Sequence, residues 1–191
     1  MRRMTIMNKM NLPNQLTILR TIMIPFFLIF LYTDFWGKGN AYAAAAIFII
    51  ASLTDMLDGK IARKYNLVTN FGKFMDPIAD KLLVCSALIA LVDLGKIASW
   101  IVIVIISREF IINGLRLVAS DNGVVIAASY WGKFKTIFQM IMIISLIMDL
   151  PILFMDIINM VLIYASLALT VISLIDYVCK NYKVFLEGSS K

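Results

Sequence analysis

Six long stretches of apolar side chains constrain this chain more than any other feature. A helix that crosses a lipid bilayer needs about 20 consecutive, mostly apolar residues. Stretches close to that length occupy residues 16–35, 40–61, 74–93, 97–119, 134–150 and 152–177. Because short polar or glycine-containing segments separate them, the sequence predicts an all-α membrane protein with six transmembrane helices. We expect residues 1–191 to form a single integral membrane domain.

The composition narrows the chemistry that this chain can perform. Of its 191 residues, 61% are hydrophobic and only 16% are charged, whereas soluble domains carry roughly 25% charged residues. Histidine is absent from the sequence, so proton transfer and metal binding fall to carboxylates, amines, hydroxyls and thiols. The two cysteines, Cys85 and Cys179, lack zinc or redox spacing. We expect membrane lipids around the protein and no nucleic-acid partner.

The lysines and arginines predict how the bundle is oriented in the membrane. Basic residues are enriched in cytoplasmic loops, and this bias sets the orientation of membrane proteins. If both termini are cytoplasmic, 16 of the 18 basic residues lie on or near that side, and only Lys38 and Lys96 lie opposite. The sequence therefore predicts a multi-pass protein of the cell membrane with both termini in the cytoplasm.

Four aspartates lie in the segment "SLTDMLDGKIARKYNLVTNFGKFMDPIADKLL", on the predicted cytoplasmic side. Asp55 and Asp58 are three residues apart, and Asp76 and Asp80 are four apart, so each pair shares one face of a helix. Each charge near a bilayer costs about 2.5–3.5 kcal/mol on insertion scales, so the set needs counter-charge. Hard oxygen ligands favour Mg²⁺, Mn²⁺ or Ca²⁺, and four carboxylates can hold two ions roughly 3.5–4 Å apart.

The residues alone leave other interpretations of this segment open. The aspartates can pair with Lys60, Arg63, Lys73 and Lys81 in an interfacial network of salt bridges. The small residues beside them can serve close helix packing rather than the approach of a phosphate. Intramembrane carboxylates also occur in divalent-cation transporters, although those place them on several helices near mid-bilayer. Carboxylates at one membrane face favour an enzyme site.

The spacing of this segment resembles the signature of the CDP-alcohol phosphotransferases, D-x-x-D-G-x-x-A-R-(x)8-G-x-x-x-D-x-x-x-D. All eight fixed positions are present over 26 residues. They are Asp55, Asp58, Gly59, Ala62, Arg63, Gly72, Asp76 and Asp80. The resemblance implies a six-helix, dimeric membrane enzyme in which an alcohol hydroxyl attacks the β-phosphorus of a CDP-linked donor and releases CMP.

The resemblance also implies a role for each matched residue. Asp55, Asp58, Asp76 and Asp80 would bind two Mg²⁺ or Mn²⁺ ions, and Asp80 would also be the catalytic base that deprotonates the alcohol. The nucleotide-binding residues would be Asp55, Gly59, Ala62, Arg63 and Gly72. An arginine suits a diphosphate because its planar fork can bond two oxygens at once.

The acceptor alcohol is predicted from residues outside the signature. Arg108 and Arg116 are eight residues apart in "SREFIINGLRLVA", and Lys133 and Lys135 follow in "GKFKT". These four cations predict a pocket for an acceptor that carries a phosphate. Alternatively, these cations only reflect the general excess of lysine and arginine on the cytoplasmic side of membrane proteins, above all for Lys133 and Lys135.

The phrases "NLPNQLTILR", "REF" and "GKFKT" resemble the bacterial phosphatidylglycerophosphate synthases of the same family. That resemblance implies CDP-diacylglycerol as the donor and sn-glycerol 3-phosphate as the acceptor. Family members that use inositol phosphate, serine or another alcohol would share the aspartates, so the acceptor stays open at this point.

Overall fold

The described part of the chain is entirely helical. The computed structural model describes the backbone of residues 12–64, 70–121, 126 and 129–187, and the side chains of residues 17–54, 78–79, 81–120, 126 and 129–182. The helices are α1 (Leu12–Tyr32), α2 (Lys38–Lys64), α3 (Asn70–Asp93), α4 (Ser99–Asp121), α5 (Tyr130–Met148) and α6 (Met155–Glu187). The prediction of an all-α protein with six helices is confirmed over these residues.

The largest difference from the predicted boundaries is at the end of α6. The apolar pattern predicts an end at residue 177, whereas the helix continues to Glu187. Polar residues end a hydrophobic stretch without ending a helix, and no helix breaker occurs before Gly188. At 1.5 Å per residue, its 33 residues extend about 50 Å, which exceeds the roughly 30 Å hydrocarbon core of a bilayer.

Two segments of the described residues are long and apolar enough to cross a membrane. They are Tyr130–Met148 in α5 and Met155–Tyr182 in α6, and a shorter apolar segment, Thr17–Tyr32, lies in α1. Most side chains of both long segments face outward. Such outward-facing apolar helices are typical of membrane proteins, which expose this surface to lipid.

The first of two compact units, Met1–Ala90, is organised around the pairing of α1 with α2. Phe27 of α1 and Phe48 of α2 are fully buried, and their ring centroids lie 5.9 Å apart. Ala44 and Ala51, one turn before and one turn after Phe48, are also fully buried. Small side chains let neighbouring helices approach closely in a membrane. This packed stretch of α2 leads without a break into the helical turn that carries Asp55.

The second unit, Leu91–Lys191, is built around α6, which packs against α4 and α5. A hydrogen bond fixes the start of α5, where Ser129 Oγ accepts from the backbone N–H of Gly132 at 3.1 Å. At its other end Asp149 adopts a left-handed conformation, with φ 42°, and its carboxylate accepts from Lys96 Nζ at 2.9 Å. Because both ends of α5 are capped, the helix holds its side chains in a fixed register.

Candidate functional site

The backbone places the acidic signature on two helices. Asp55, Asp58, Gly59, Ala62 and Arg63 lie in α2, and Gly72, Asp76 and Asp80 lie in the first half of α3. The side chains of all eight residues lie outside the described residues. Both segments are continuous helix, so the spacings of three and four residues predicted for the aspartate pairs hold in the backbone.

These spacings fit a site for hard divalent cations. Two carboxylates one turn apart on each of two helices make an all-oxygen donor set, the type that Mg²⁺ and Mn²⁺ prefer. Among the side chains that the structure describes, no group of three or more Cys, Asp or Glu residues is placed to hold a metal. The binding of metal by the four aspartates stays a prediction.

A buried group of charged side chains joins the three helices of the second unit. Arg108 and Glu109 of α4 are each 7% exposed, and Lys135 of α5 is 1% exposed. Arg108 Nη1 donates to Glu109 Oε1 at 3.1 Å, and Lys135 Nζ donates to the same oxygen. Arg108 Nε donates to Ser173 Oγ of α6 at 3.1 Å. Two of the four predicted acceptor-binding cations thus share one carboxylate.

Arg116, the third predicted cation, lies two turns further along α4 and also faces α6. Its guanidinium carbon lies 5.6 Å from the centre of the Tyr177 ring, in reach of a cation–π interaction. Tyr177 lies one helical turn after Ser173, the partner of Arg108, and both are buried in α6. We call Arg108, Glu109, Arg116, Lys135, Ser173 and Tyr177 the cation cluster.

Lys133, the fourth predicted cation, is exposed on α5. It lies two residues before Lys135, and residues two apart point to different sides of a helix. Its predicted role in acceptor binding is not supported by a contact with the cation cluster among the described side chains. Gly132 lies closer: a Cβ added there would be 3.3 Å from Arg108 Nη2, so the glycine leaves space for that guanidinium.

Three members of the cation cluster were not predicted from the sequence. In the sequence Glu109 stands out only as the neighbour of Arg108. Lys135, which donates a hydrogen bond to its carboxylate, lies 26 residues later. Ser173 and Tyr177 belong to a polar stripe on the buried face of α6, which the spacing of four, three and four residues reveals. The stripe consists of Ser166, Thr170, Ser173 and Tyr177, all at most 2% exposed. Hydroxyl groups at helical spacing in an otherwise apolar segment were the available signal.

The charges of the cation cluster do not balance. Arg108, Arg116 and Lys135 contribute three positive charges, and Glu109 contributes one negative charge. Buried charges are costly unless they are paired and hydrogen-bonded. The described members therefore form a site with an excess of positive charge, which suits an anion with several acceptor oxygens.

The chain is similar to known proteins over most of its length. A family model described as CDP-alcohol phosphatidyltransferase matches residues 10–172. The CDP-diacylglycerol–glycerol-3-phosphate 3-phosphatidyltransferase of Bacillus subtilis (strain 168) is 46% identical over 190 residues, with 91% of this chain and 96% of the relative covered. The enzyme of the same name from Haemophilus influenzae (strain ATCC 51907 / DSM 11121 / KW20 / Rd) is 41% identical, with 88% and 92% covered.

A probable phosphatidylglycerophosphate synthase of Mycobacterium tuberculosis (strain CDC 1551 / Oshkosh) is 43% identical, with 89% of this chain and 81% of the relative covered. The matched residues include the whole acidic signature together with Arg108, Arg116 and Lys135. The resemblance stated from the signature is confirmed, and the chain belongs to the CDP-alcohol phosphatidyltransferase family.

Proposed function

We propose that this chain transfers the phosphatidyl group of CDP-diacylglycerol to sn-glycerol 3-phosphate. The products are phosphatidylglycerophosphate and CMP, and the reaction belongs to phospholipid biosynthesis. The chain is a transferase of the CDP-alcohol phosphatidyltransferase family. Relatives that carry the name of this reaction are 37–46% identical to the chain over about nine tenths of its length.

The observation that carries the choice of acceptor is the excess positive charge of the cation cluster. An acceptor that brings a phosphate would add negative charge beside Arg108, Arg116 and Lys135, whereas an uncharged alcohol would leave Glu109 as the one carboxylate among the described members of the cation cluster. Arg108 is held by hydrogen bonds to Glu109 and Ser173. Its orientation is therefore fixed before the acceptor binds, which lowers the entropic cost of binding. Lys133, exposed beside this group, would contribute only long-range attraction.

The acidic signature is proposed as the site of the donor and the metal. Asp55, Asp58, Asp76 and Asp80 would hold two ions, Mg²⁺ or Mn²⁺, on the ends of α2 and α3. When bound, the metal would offset the charge of the diphosphate during the displacement. Asp55 would also contact the nucleotide, together with Gly59, Ala62, Arg63 and Gly72. The absence of large side chains at the two glycines and the alanine would let the nucleotide approach the helix backbone.

In the proposed reaction the acceptor hydroxyl forms a new oxygen–phosphorus bond. Asp80 takes the proton of that hydroxyl, and the bond between phosphorus and the CMP oxygen breaks, so that CMP carries away the electron pair. A carboxylate of ordinary basicity is a weak base for an alcohol. Alignment of the acceptor hydroxyl with the phosphorus would therefore supply much of the rate enhancement.

We also propose how the chain is arranged in the cell membrane. All six helices would cross the cell membrane as one integral domain of residues 1–191, with both termini and the active site facing the cytoplasm. The excess of basic residues on that side supports the orientation. The protein would act as a homodimer surrounded by membrane lipids, a state expected from the family resemblance.

A comparison of acceptors tests this function. We expect the detergent-solubilised protein to release CMP from CDP-diacylglycerol when Mg²⁺ or Mn²⁺ and glycerol 3-phosphate are both present. Chelation of the metal with EDTA should stop the release, because the carboxylates alone cannot compensate the diphosphate. Glycerol, serine and inositol phosphate serve as matched acceptors. Equal or faster release with any of them would contradict the assignment of glycerol 3-phosphate.

A further inference from the structure

Two buried donor groups of the cation cluster have no hydrogen-bond partner. Among the described residues, the Tyr177 hydroxyl and Arg116 Nε are both buried and neither contacts an acceptor. Tyr177 is only 2% exposed, so water does not readily satisfy its hydroxyl. A buried donor without a partner costs about 1–3 kcal/mol, and folded proteins seldom retain one without a functional reason.

The surroundings of Tyr177 indicate which ligand would satisfy its hydroxyl. The Arg116 guanidinium lies 5.6 Å from the centre of the ring, and Arg108 donates to Ser173, which lies one helical turn before Tyr177 on α6. The next residue, Asp176, also has one buried oxygen without a partner, but its other oxygen accepts from Lys180 at 2.6 Å. Adjacent residues of a helix point in different directions, so Asp176 does not share the face of Tyr177. A ligand on that face meets donors and positive charge.

We propose that the Tyr177 hydroxyl is a specificity-determining group that donates a hydrogen bond to a phosphate oxygen of the acceptor. This inference rests on the proposed function, because it places the acceptor phosphate against the cation cluster. Tyr177 and Ser173 lie beyond residues 10–172, which the family model matches. A phosphate has enough acceptor oxygens to satisfy Tyr177 and Arg116 Nε together.

The hydroxyl would contribute selectivity that the cations cannot supply. Arginine and lysine attract any anion, whereas a buried phenol also penalises ligands that offer no acceptor at its position. The cation–π contact supports this arrangement, because Arg116 holds the ring of Tyr177 in place. Tyr177 would thereby help to distinguish a phosphate-bearing acceptor from an alcohol of similar size without phosphate.

The substitution Tyr177→Phe tests the proposal because it removes one hydroxyl and keeps the ring under Arg116. The hydroxyl has no partner among the described residues, so its removal should not lower the thermal unfolding midpoint. The KM for glycerol 3-phosphate should rise about tenfold or more, because a hydrogen bond to a charged group is lost. The KM for CDP-diacylglycerol should change less than twofold. Tyr164→Phe, on the same helix but 55% exposed, is the matched control.

Binding of inorganic phosphate to the detergent-solubilised full-length protein, measured by calorimetry, separates this proposal from the proposed function. We expect Tyr177→Phe to weaken phosphate binding about tenfold and Tyr164→Phe to leave it unchanged. If the unaltered protein binds phosphate in this way but releases no CMP with glycerol 3-phosphate, the proposed function fails and the phosphate site stands. If it binds no phosphate, or if Tyr177→Phe binds phosphate as tightly as the unaltered protein, the role of Tyr177 is wrong.

Discussion

The substitution Asp80→Asn is expected to lower kcat for CMP release by about two to four orders of magnitude, the usual contribution of a general base. An amide nitrogen and oxygen cannot take the proton of the acceptor hydroxyl, and the amide is also a weaker metal ligand than a carboxylate. The KM for CDP-diacylglycerol should change far less, because three aspartates of the signature remain. The measurement is steady-state CMP release with saturating metal and acceptor.

A matched control for this substitution lies on the same helix. Asp93→Asn removes a charge from the far end of α3, where the aspartate is exposed. We expect that variant to keep normal kcat and KM values. If Asp80→Asn retains more than a few per cent of the activity, or if Asp93→Asn loses as much, Asp80 is not the base.

The second large effect is expected at Arg108. The substitution Arg108→Ala removes the donor to Glu109 Oε1 and to Ser173 Oγ and one positive charge of the cation cluster. The KM for glycerol 3-phosphate should rise about 10- to 100-fold, which corresponds to the loss of about 1.5–3 kcal/mol for a hydrogen bond to a charged group. The KM for CDP-diacylglycerol should rise much less, since that substrate is assigned to the acidic signature.

Because Glu109 is buried, Arg108→Ala also destabilises the protein. A milder variant separates the loss of acceptor binding from the loss of stability. Arg108→Lys keeps the charge but loses the planar fork, so it should bind the acceptor poorly while unfolding near the normal temperature. Lys180→Ala, which removes a 64% exposed cation of α6, is the control and should leave both KM values unchanged. Equal increases in the KM of donor and acceptor would contradict the assignment of Arg108 to the acceptor.

The helices of this protein were predictable because each is long and apolar. The existence of α1 to α6 follows from the apolar stretches. The residue at which each helix begins differs from the predicted start by only a few residues. The end of α6 was not predictable from hydropathy, since the polar residues after Tyr177 continue the helix outside the apolar segment. Hydropathy reports where a chain meets lipid, and helical hydrogen bonds extend further.

The candidate site was predictable in its residue types and less so in its contacts. Arg108 and Lys135 were predicted as acceptor-binding cations, but their common partner Glu109 depends on the packing of α4 beside α5. The sequence "GKFKT" also does not distinguish Lys133 from Lys135 until the register of α5 is known. Contacts between residues that are 26 and 65 positions apart depend on tertiary packing, which the local sequence pattern does not encode.

The proposed transfer of a phosphatidyl group to glycerol 3-phosphate can be tested by following the product. Purified protein in detergent receives CDP-diacylglycerol, Mg²⁺ and isotopically labelled glycerol 3-phosphate, and both CMP and label in the organic-solvent extract are measured. The proposed reaction predicts that labelled lipid and CMP form in equal amounts and that neither forms without the acceptor. CMP release without labelled lipid, or labelled lipid without CMP, would contradict it.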